Sequence, residues 1–273
     1  MNASKTIPSV LGKARSSDIV REPFPHLVIH EALDSDFYER LAAEFPRDEV
    51  VLREGKKDRG NQKHFYGAAK ALADARVSEL WKDFFRYHLS DVFYGEMLEI
   101  FGREIRLLYP DLEHRLNKRL QDLRTGIRRS DLSAEAMLDC QFAINTPVLE
   151  PSSVRGPHLD GAQTLYQCLL YFREDRDDAG GDLELYRFKE GADLSTVTPK
   201  AIDKSLVQKA AAVPYRKNTL IAFLNSPRSL HGVSPRAATP FTRRYFNALC
   251  DLKTDLYSFS ALTPSEGNAG EEY

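Results

Sequence analysis

The chain reads as an α+β protein, with a helical first half packed beside a β-rich second half. Three observations predict this. First, Val77, Leu80, Trp81, Phe84, Phe85, His88, Leu89, Val92 and Phe93 recur at helical spacing, the stripe of a helix that supports a sheet. Second, from about Leu138 the pattern changes to short runs of strand character: Asp139–Asn145, Thr164–Phe172, Asn218–Asn225 and Thr242–Cys250, separated by glycine and proline turns. Third, the helices precede the strands instead of alternating with them, which favours a sandwich or barrel with helices on one side over a parallel α/β sheet. At 273 residues, 42% of them hydrophobic, the chain can bury a substantial core.

Taken in order, residues 1–22 are polar and unpatterned and read as a loose arm. Phe24–His30 reads as a short strand in which His26 and His30 alternate with apolar neighbours, strand residues with hydrogen-bond partners and not ligands. Asp34 stands where a helix N-cap is expected, before Phe37, Leu41 and Phe45. Residues 50–66 carry Arg53, Lys56, Lys57, Arg59 and Lys63, either a solvated loop or a lid whose cations meet an acidic substrate. The apolar stripe predicts one helix over about 77–101, with His88 as its polar core member. Leu112, Leu116, Leu120 and Leu123 predict a second, which breaks at Arg124–Ser130. Residues 189–211 show little apolar pattern and read as an insertion between strands. The polar end beyond Asp255 reads as a mobile tail. The expected organisation is therefore a single unit: 1–138 as helical support and lid, 139–254 as the β core, and 255–273 as tail.

The chemistry concentrates in Gly156-Pro-His158-Leu-Asp160-Gly161 and, downstream, Ser229-Leu-His231-Gly-Val233. On a strand, His158 and Asp160 point to one face, so an imidazole and a carboxylate can grip one cation from the same side. A second imidazole, His231, completes a two-His-one-carboxylate face, whose usual occupant is non-haem Fe(II) with open positions. A β-rich run follows the first motif. A Gly180-Gly181 turn then feeds a strand through Tyr186, an apolar strand delivers His231, and a last strand begins with Arg243 and Arg244. In this order the parts resemble the Fe(II)/2-oxoglutarate-dependent oxygenases, in particular the prolyl-hydroxylase-like branch, over about residues 139–254.

That resemblance implies a double-stranded β-helix, a jelly-roll barrel with supporting N-terminal helices, using Fe(II), 2-oxoglutarate and O2. His158, Asp160 and His231 would be the metal ligands and catalytic residues. The far carboxylate of 2-oxoglutarate would need a cation on the strand after the distal histidine, and an arginine fork suits it. Arg243 and Arg244 both fit by position but cannot both face inward. The expectation is Arg244, since it would share its face with the small apolar set Phe246, Ala248 and Cys250, and since the Arg-Tyr pair at 244–245 matches the branch. Arg243 is the alternative, and Arg236, in a Ser-Pro-Arg turn, is expected at the surface. Tyr171 is a second candidate for the same carboxylate, and Gln141 and Asn145 share a face from which either could reach substrate or co-substrate.

An intact Asp160, where related halogenases carry a small residue, implies hydroxylation or a kindred oxidation such as desaturation or ring closure, with release of succinate and CO2. The expected substrate is a small molecule or a carrier-bound intermediate. The alternatives are a protein side-chain hydroxylase of the same family, and a binding protein or metal-dependent cupin that does not use 2-oxoglutarate. A net charge of −2 argues against a nucleic-acid partner. The absence of a long apolar run argues against a membrane, and no feature sets an oligomeric state. Cys140, Cys168 and Cys250 sit in apolar strands without close spacing, and read as buried free thiols of a cytoplasmic protein.

Overall fold

Strands with apolar residues at nearly every position need cover on both faces, and Thr164–Tyr171 and Thr219–Leu224 are of this kind. The computed structural model, which describes residues 7–52, 60–194, 197 and 199–258, shows how that cover is provided. Ten strands form among these residues: β1 (His26–His30), β2 (Lys63–Gly67), β3 (Thr125–Ile127), β4 (Ala136–Asn145), β5 (Thr164–Tyr171), β6 (Leu183–Phe188), β7 (Val207–Val213), β8 (Thr219–Leu224), β9 (His231–Val233) and β10 (Arg243–Leu252). The larger sheet runs β1-β8-β5-β10-β4-β2, antiparallel throughout, with β3 added parallel to β4. The smaller sheet runs β7-β6-β9, and His158 bridges to His231 on the free side of β9.

From β4 onward the chain passes repeatedly between the sheets. β4, β5, β8 and β10 lie in the large one, while the His158 segment, β6, β7 and β9 lie in the small one. This alternation is the expected double-stranded β-helix, a jelly roll. Between the sheets lie Ala143, Leu169, Tyr171, Ile221, Phe223 and Tyr245 from the large sheet, meeting Leu183, Leu185 and Val213 from the small one.

The helices are α1 (Ser35–Ala43), α2 (Asp48–Val51), α3 (Ala68–Ala71), α4 (Glu79–His88), α5 (Asp91–Leu108) and α6 (Leu112–Leu116). They cover the outer face of the large sheet with an aromatic layer. The Trp81 ring lies 4.8 Å from Phe142, Phe85 4.7 Å from Phe142, and Phe84 5.1 Å from Phe246. The three thiols are free and buried, all within the core on this side. His88 is a core residue, as expected. Its Nδ1 lies 2.7 Å from the Phe84 carbonyl and its Nε2 accepts from the Val10 amide at 3.1 Å. His26 and His30 also have partners, the Phe24 carbonyl and the Thr219 hydroxyl.

Several expectations change. The helix over 77–101 is two helices, because Ser90 accepts from the Phe93 amide and starts α5 anew after Leu89. The second helix is short, ending at Asn117 in the left-handed region. The first half is not only helical, since β1, β2 and β3 join the large sheet. Within the N-terminal arm, Val10, Leu11 and Ala14 are buried in the core. Of the segment 50–66, expected as a loop or lid, Val50 and Val51 belong to α2 and 63–66 to β2, while 53–59 lie outside the described residues. The insertion ends earlier than expected, since β7 begins at Val207, and most of the expected tail, from 259, also falls outside the described residues. Among the described residues no helix is long and apolar enough to cross a membrane.

Candidate metal centre

His158 and His231 face each other across an antiparallel bridge, exchanging backbone hydrogen bonds of 2.9 and 3.1 Å. Residues directly paired in this way project to the same face, and their rings lie 4.3 Å apart. The close approach depends on glycine: a Cβ on Gly232 would lie 2.9 Å from the Gly156 carbonyl carbon. Asp160, two residues beyond His158, completes the group. Its Oδ1 is 3.9 Å from His158 Nε2 and its Oδ2 is 3.3 Å from His231 Nε2. The three donor atoms lie within 4.8 Å of one another.

The tautomers suit a metal. His158 Nδ1 sits 2.9 Å from the Gly156 carbonyl and His231 Nδ1 sits 2.9 Å from the Ser229 carbonyl. A neutral ring donating from Nδ1 presents a lone pair at Nε2, which here points at Asp160. Burial holds both rings in the neutral form. It pushes His158 far below the usual imidazole range, helped by the neighbouring His231 and Arg155, and it lowers His231 against the opposing pull of Asp160. Gln167 on β5 donates to Asp160 Oδ2 and fixes the carboxylate. Two neutral imidazoles and one carboxylate, each held by a backbone or amide partner, fit a divalent ion of borderline softness.

Deeper between the sheets, Arg243 is 1% exposed. Its Nε donates to the Gly181 carbonyl at 2.8 Å and its Nη1 to Asn145 Oδ1 at 3.3 Å. Its guanidinium carbon lies 5.0, 4.8 and 5.0 Å from the rings of Tyr171, Tyr215 and Tyr245, within cation–π range. Arg243 Nη2 and the Tyr171 hydroxyl are buried and neither meets a partner with hydrogen-bond geometry. Gly181, at φ +92°, turns the chain here, and a Cβ on it would strike Arg236 Cδ at 2.9 Å.

Of the two arginines, it is Arg243 and not the expected Arg244 whose side chain turns inward between the sheets. Arg244 lies on the opposite face of β10, a quarter exposed, paired with Asp48 at 3.1 Å and Glu174 at 3.2 Å. Neighbours do alternate as expected, but the small apolar set that shares its face, Phe246, Ala248 and Cys250, packs against the helices. The inner face carries Arg243, Tyr245 and Asn247 instead, because it must serve polar groups. Arg236 is also not at the surface. It is 1% exposed and pairs with buried Asp177 at 2.9 Å, while its Nε and Nη1 lack partners. Gln141 and Asn145 share the inner face with Asn247, which donates to Gln141 Oε1 at 3.4 Å.

Two residues of this centre escaped the sequence reading, and a third, Lys63, was expected only as one cation of the 50–66 loop or lid. Gln167 had a signal, as the one amide within the apolar run of β5. Arg155 stands three positions before His158 in sequence. The charged run pointed to Lys63 as a candidate substrate-facing cation, but only the pairing of β2 with β4 sets it beside this centre.

Residues 147–248 match the sequence model of the 2OG-Fe(II) oxygenase superfamily, the group whose motifs this stretch resembles. That family uses Fe(II), 2-oxoglutarate and O2. No curated protein matches the chain. Similar solved structures include a prolyl-4-hydroxylase from Pseudomonas putida, 15% identical, covering 84% of this chain and 92% of its own with a TM-score of 0.46. Another is the epimerase SnoN in complex with Fe3+, alpha ketoglutarate and nogalamycin RO, 13% identical, covering 90% and 87% with a TM-score of 0.49. A third is HygX from Streptomyces hygroscopicus with nickel and 2-oxoglutarate bound, 12% identical, covering 84% and 83% with a TM-score of 0.41.

Proposed function

We propose that this chain is an Fe(II)/2-oxoglutarate-dependent dioxygenase that hydroxylates an unactivated C–H bond of a small-molecule or carrier-bound substrate, releasing succinate and CO2. The observation that carries the reading is the convergence of His158 Nε2, His231 Nε2 and an Asp160 oxygen within 4.8 Å of one another, on the inner side of a jelly roll. Fe(II) held by these three would supply the O2 chemistry that couples decarboxylation of 2-oxoglutarate to oxidation of the substrate.

The chain's own residues hold and orient. The Gly156 and Ser229 carbonyls keep each ring from rotating, and the Gln167 amide holds Asp160 by one oxygen. Arg243 is the residue proposed to hold the far carboxylate of 2-oxoglutarate, with Tyr171 beside it. Gly181 and Asn145 restrain two of its nitrogens, leaving Nη2 and the Tyr171 hydroxyl as donors without protein acceptors. Such an orphaned pair costs stability unless a ligand satisfies it. Phe223, with its ring 5.1 Å from His231, and the three tyrosines form the buried apolar wall of the space between.

The test is anaerobic addition of Fe(II) and 2-oxoglutarate to the protein, watching for the weak visible charge-transfer band of the chelate. The band is expected in the wild type and absent in His158→Ala. No band in iron-loaded wild type would remove the oxygenase reading and leave a cupin or a binding protein.

A further inference from the structure

Beside the metal ligands stand two cations for which the proposed reaction has no use. Lys63 lies on β2, paired in register with Asn145, which is paired in turn with Arg243. The three side chains therefore leave the large sheet on its inner face. The Lys63 ammonium sits 4.6 Å over the ring of Phe65, on the same face, and makes no ion pair or hydrogen bond among the described residues. Arg155 precedes the His158 motif, and its carbonyl accepts from the Val233 amide at 2.9 Å, which ties it to β9 two residues from His231. Its half-buried guanidinium also has no carboxylate or carbonyl partner among the described residues.

Backbone pairing sets both cations beside the centre. Lys63 enters the inner face in register with Asn145 and Arg243, and Arg155 lies three residues before His158, its backbone bonded to β9 beside His231. Lys63 feels Asp160 on one side and Arg155 and Arg243 on the other, and burial brings its pKa down to about 8. The charges the reaction needs already balance without them: a divalent metal and Arg243 offset Asp160 and the two carboxylates of 2-oxoglutarate. Lys63 and Arg155 then remain as two positive charges, half-buried and uncompensated. Such groups are expensive unless an anion meets them.

We propose that Lys63 and Arg155 form an oxyanion pocket beside the metal ligands that recognises a carboxylate or phosphate on the primary substrate. This rests on the oxygenase reading and narrows its substrate class to small acids or phosphorylated carriers. Arg155 offers a planar fork and Lys63 a point charge, a pairing that holds an oxyanion and sets which C–H bond faces the metal.

The test uses the full chain loaded with Zn(II) and 2-oxoglutarate, which permits binding without turnover. The probes are N-acetyl amino acids against their neutral amides, and pantetheine phosphate against pantetheine, read by ligand-observed NMR. At least one acid or phosphate is expected to bind where its neutral counterpart does not, and the arm that responds tells carboxylate from phosphate. Lys63→Gln and Arg155→Gln are each expected to weaken that binding about tenfold or more, with 2-oxoglutarate affinity kept within about twofold. The pocket is overturned if neutral probes bind as well as the anions or if no anion binds. It is equally overturned if 2-oxoglutarate affinity falls in step with the variants, since the cations would then serve the co-substrate. Wild-type protein that takes up the anions but not 2-oxoglutarate would sink the oxygenase reading alone and leave the pocket standing.

Discussion

The two faces of β10 make different use of one run of sequence. Phe246, Ala248 and Cys250 look toward the helices and are enclosed by Trp81, Phe84, Phe85 and His88, where every polar atom of the histidine is satisfied. Arg243, Tyr245 and Asn247 look between the sheets, and there Arg243 Nη2 and Asn247 Oδ1 are buried with no partner. Both faces are equally hidden from water, so burial does not distinguish them. Hydrogen-bond bookkeeping along β10 does. Its outward residues Phe246, Ala248 and Cys250 bring no orphaned side-chain polar atom, though the Tyr166 hydroxyl beside Cys250 is one. Its inward residues leave two, on Arg243 and Asn247, where a ligand could be received.

The largest effect expected from this contrast is on the outward face. Phe246→Ala should cost about 3–5 kcal/mol of stability, since it removes a ring packed within 5.1–5.6 Å of Phe84, Phe85 and His88. Denaturant melts should show the loss, while the metal affinity of the folded fraction stays as in wild type. A selective loss of metal binding at full stability would break the comparison.

The same layer predicts a pH response. Burial lowers His88 to about 3 from an ordinary 6.5, so between those values the unfolded chain holds a proton that the folded chain refuses. Stability is therefore complete above about pH 6.5 and falls with pH by up to about 1.4 kcal/mol per unit toward pH 3. In His88→Gln that part of the slope should flatten, as followed by urea unfolding across the range.

On the inward face the expected effects are on ligands. Arg243→Met should raise the Kd for 2-oxoglutarate about 10- to 100-fold, the scale of lost charge-assisted hydrogen bonds. Arg244→Met, which breaks only partly exposed pairs with Asp48 and Glu174, should change it by less than about threefold. Titration of the chelate band reads both, and equal effects would erase the distinction between the faces. Gln167→Leu should weaken metal binding about tenfold by freeing Asp160, with no comparable change in 2-oxoglutarate binding once metal is saturating. Equilibrium dialysis against Zn(II) measures it.

Much of this was determined by sequence alone. The two-residue spacing of His158 and Asp160, the later His231, the apolar helix stripe and the strand runs are local patterns, and the backbone periods of 2 and 3.6 turn them directly into faces. The family resemblance follows from the same residues. What sequence could not determine was which face of β10 is the inside. Alternation assigns Arg243 and Arg244 to opposite sides, but a sheet covered by helices is apolar on its outer face too, so apolarity pointed Arg244 the wrong way. Ser90 as a break in the long stripe was a local signal, outweighed by the continuous apolar run. Lys63 beside the metal ligands, the buried Arg236–Asp177 pair and the carbonyls that set the histidine tautomers belong only to the tertiary structure. Each depends on which strand lies next to which, and strand pairing between distant segments is decided by the packing of the whole chain and not by any stretch of it.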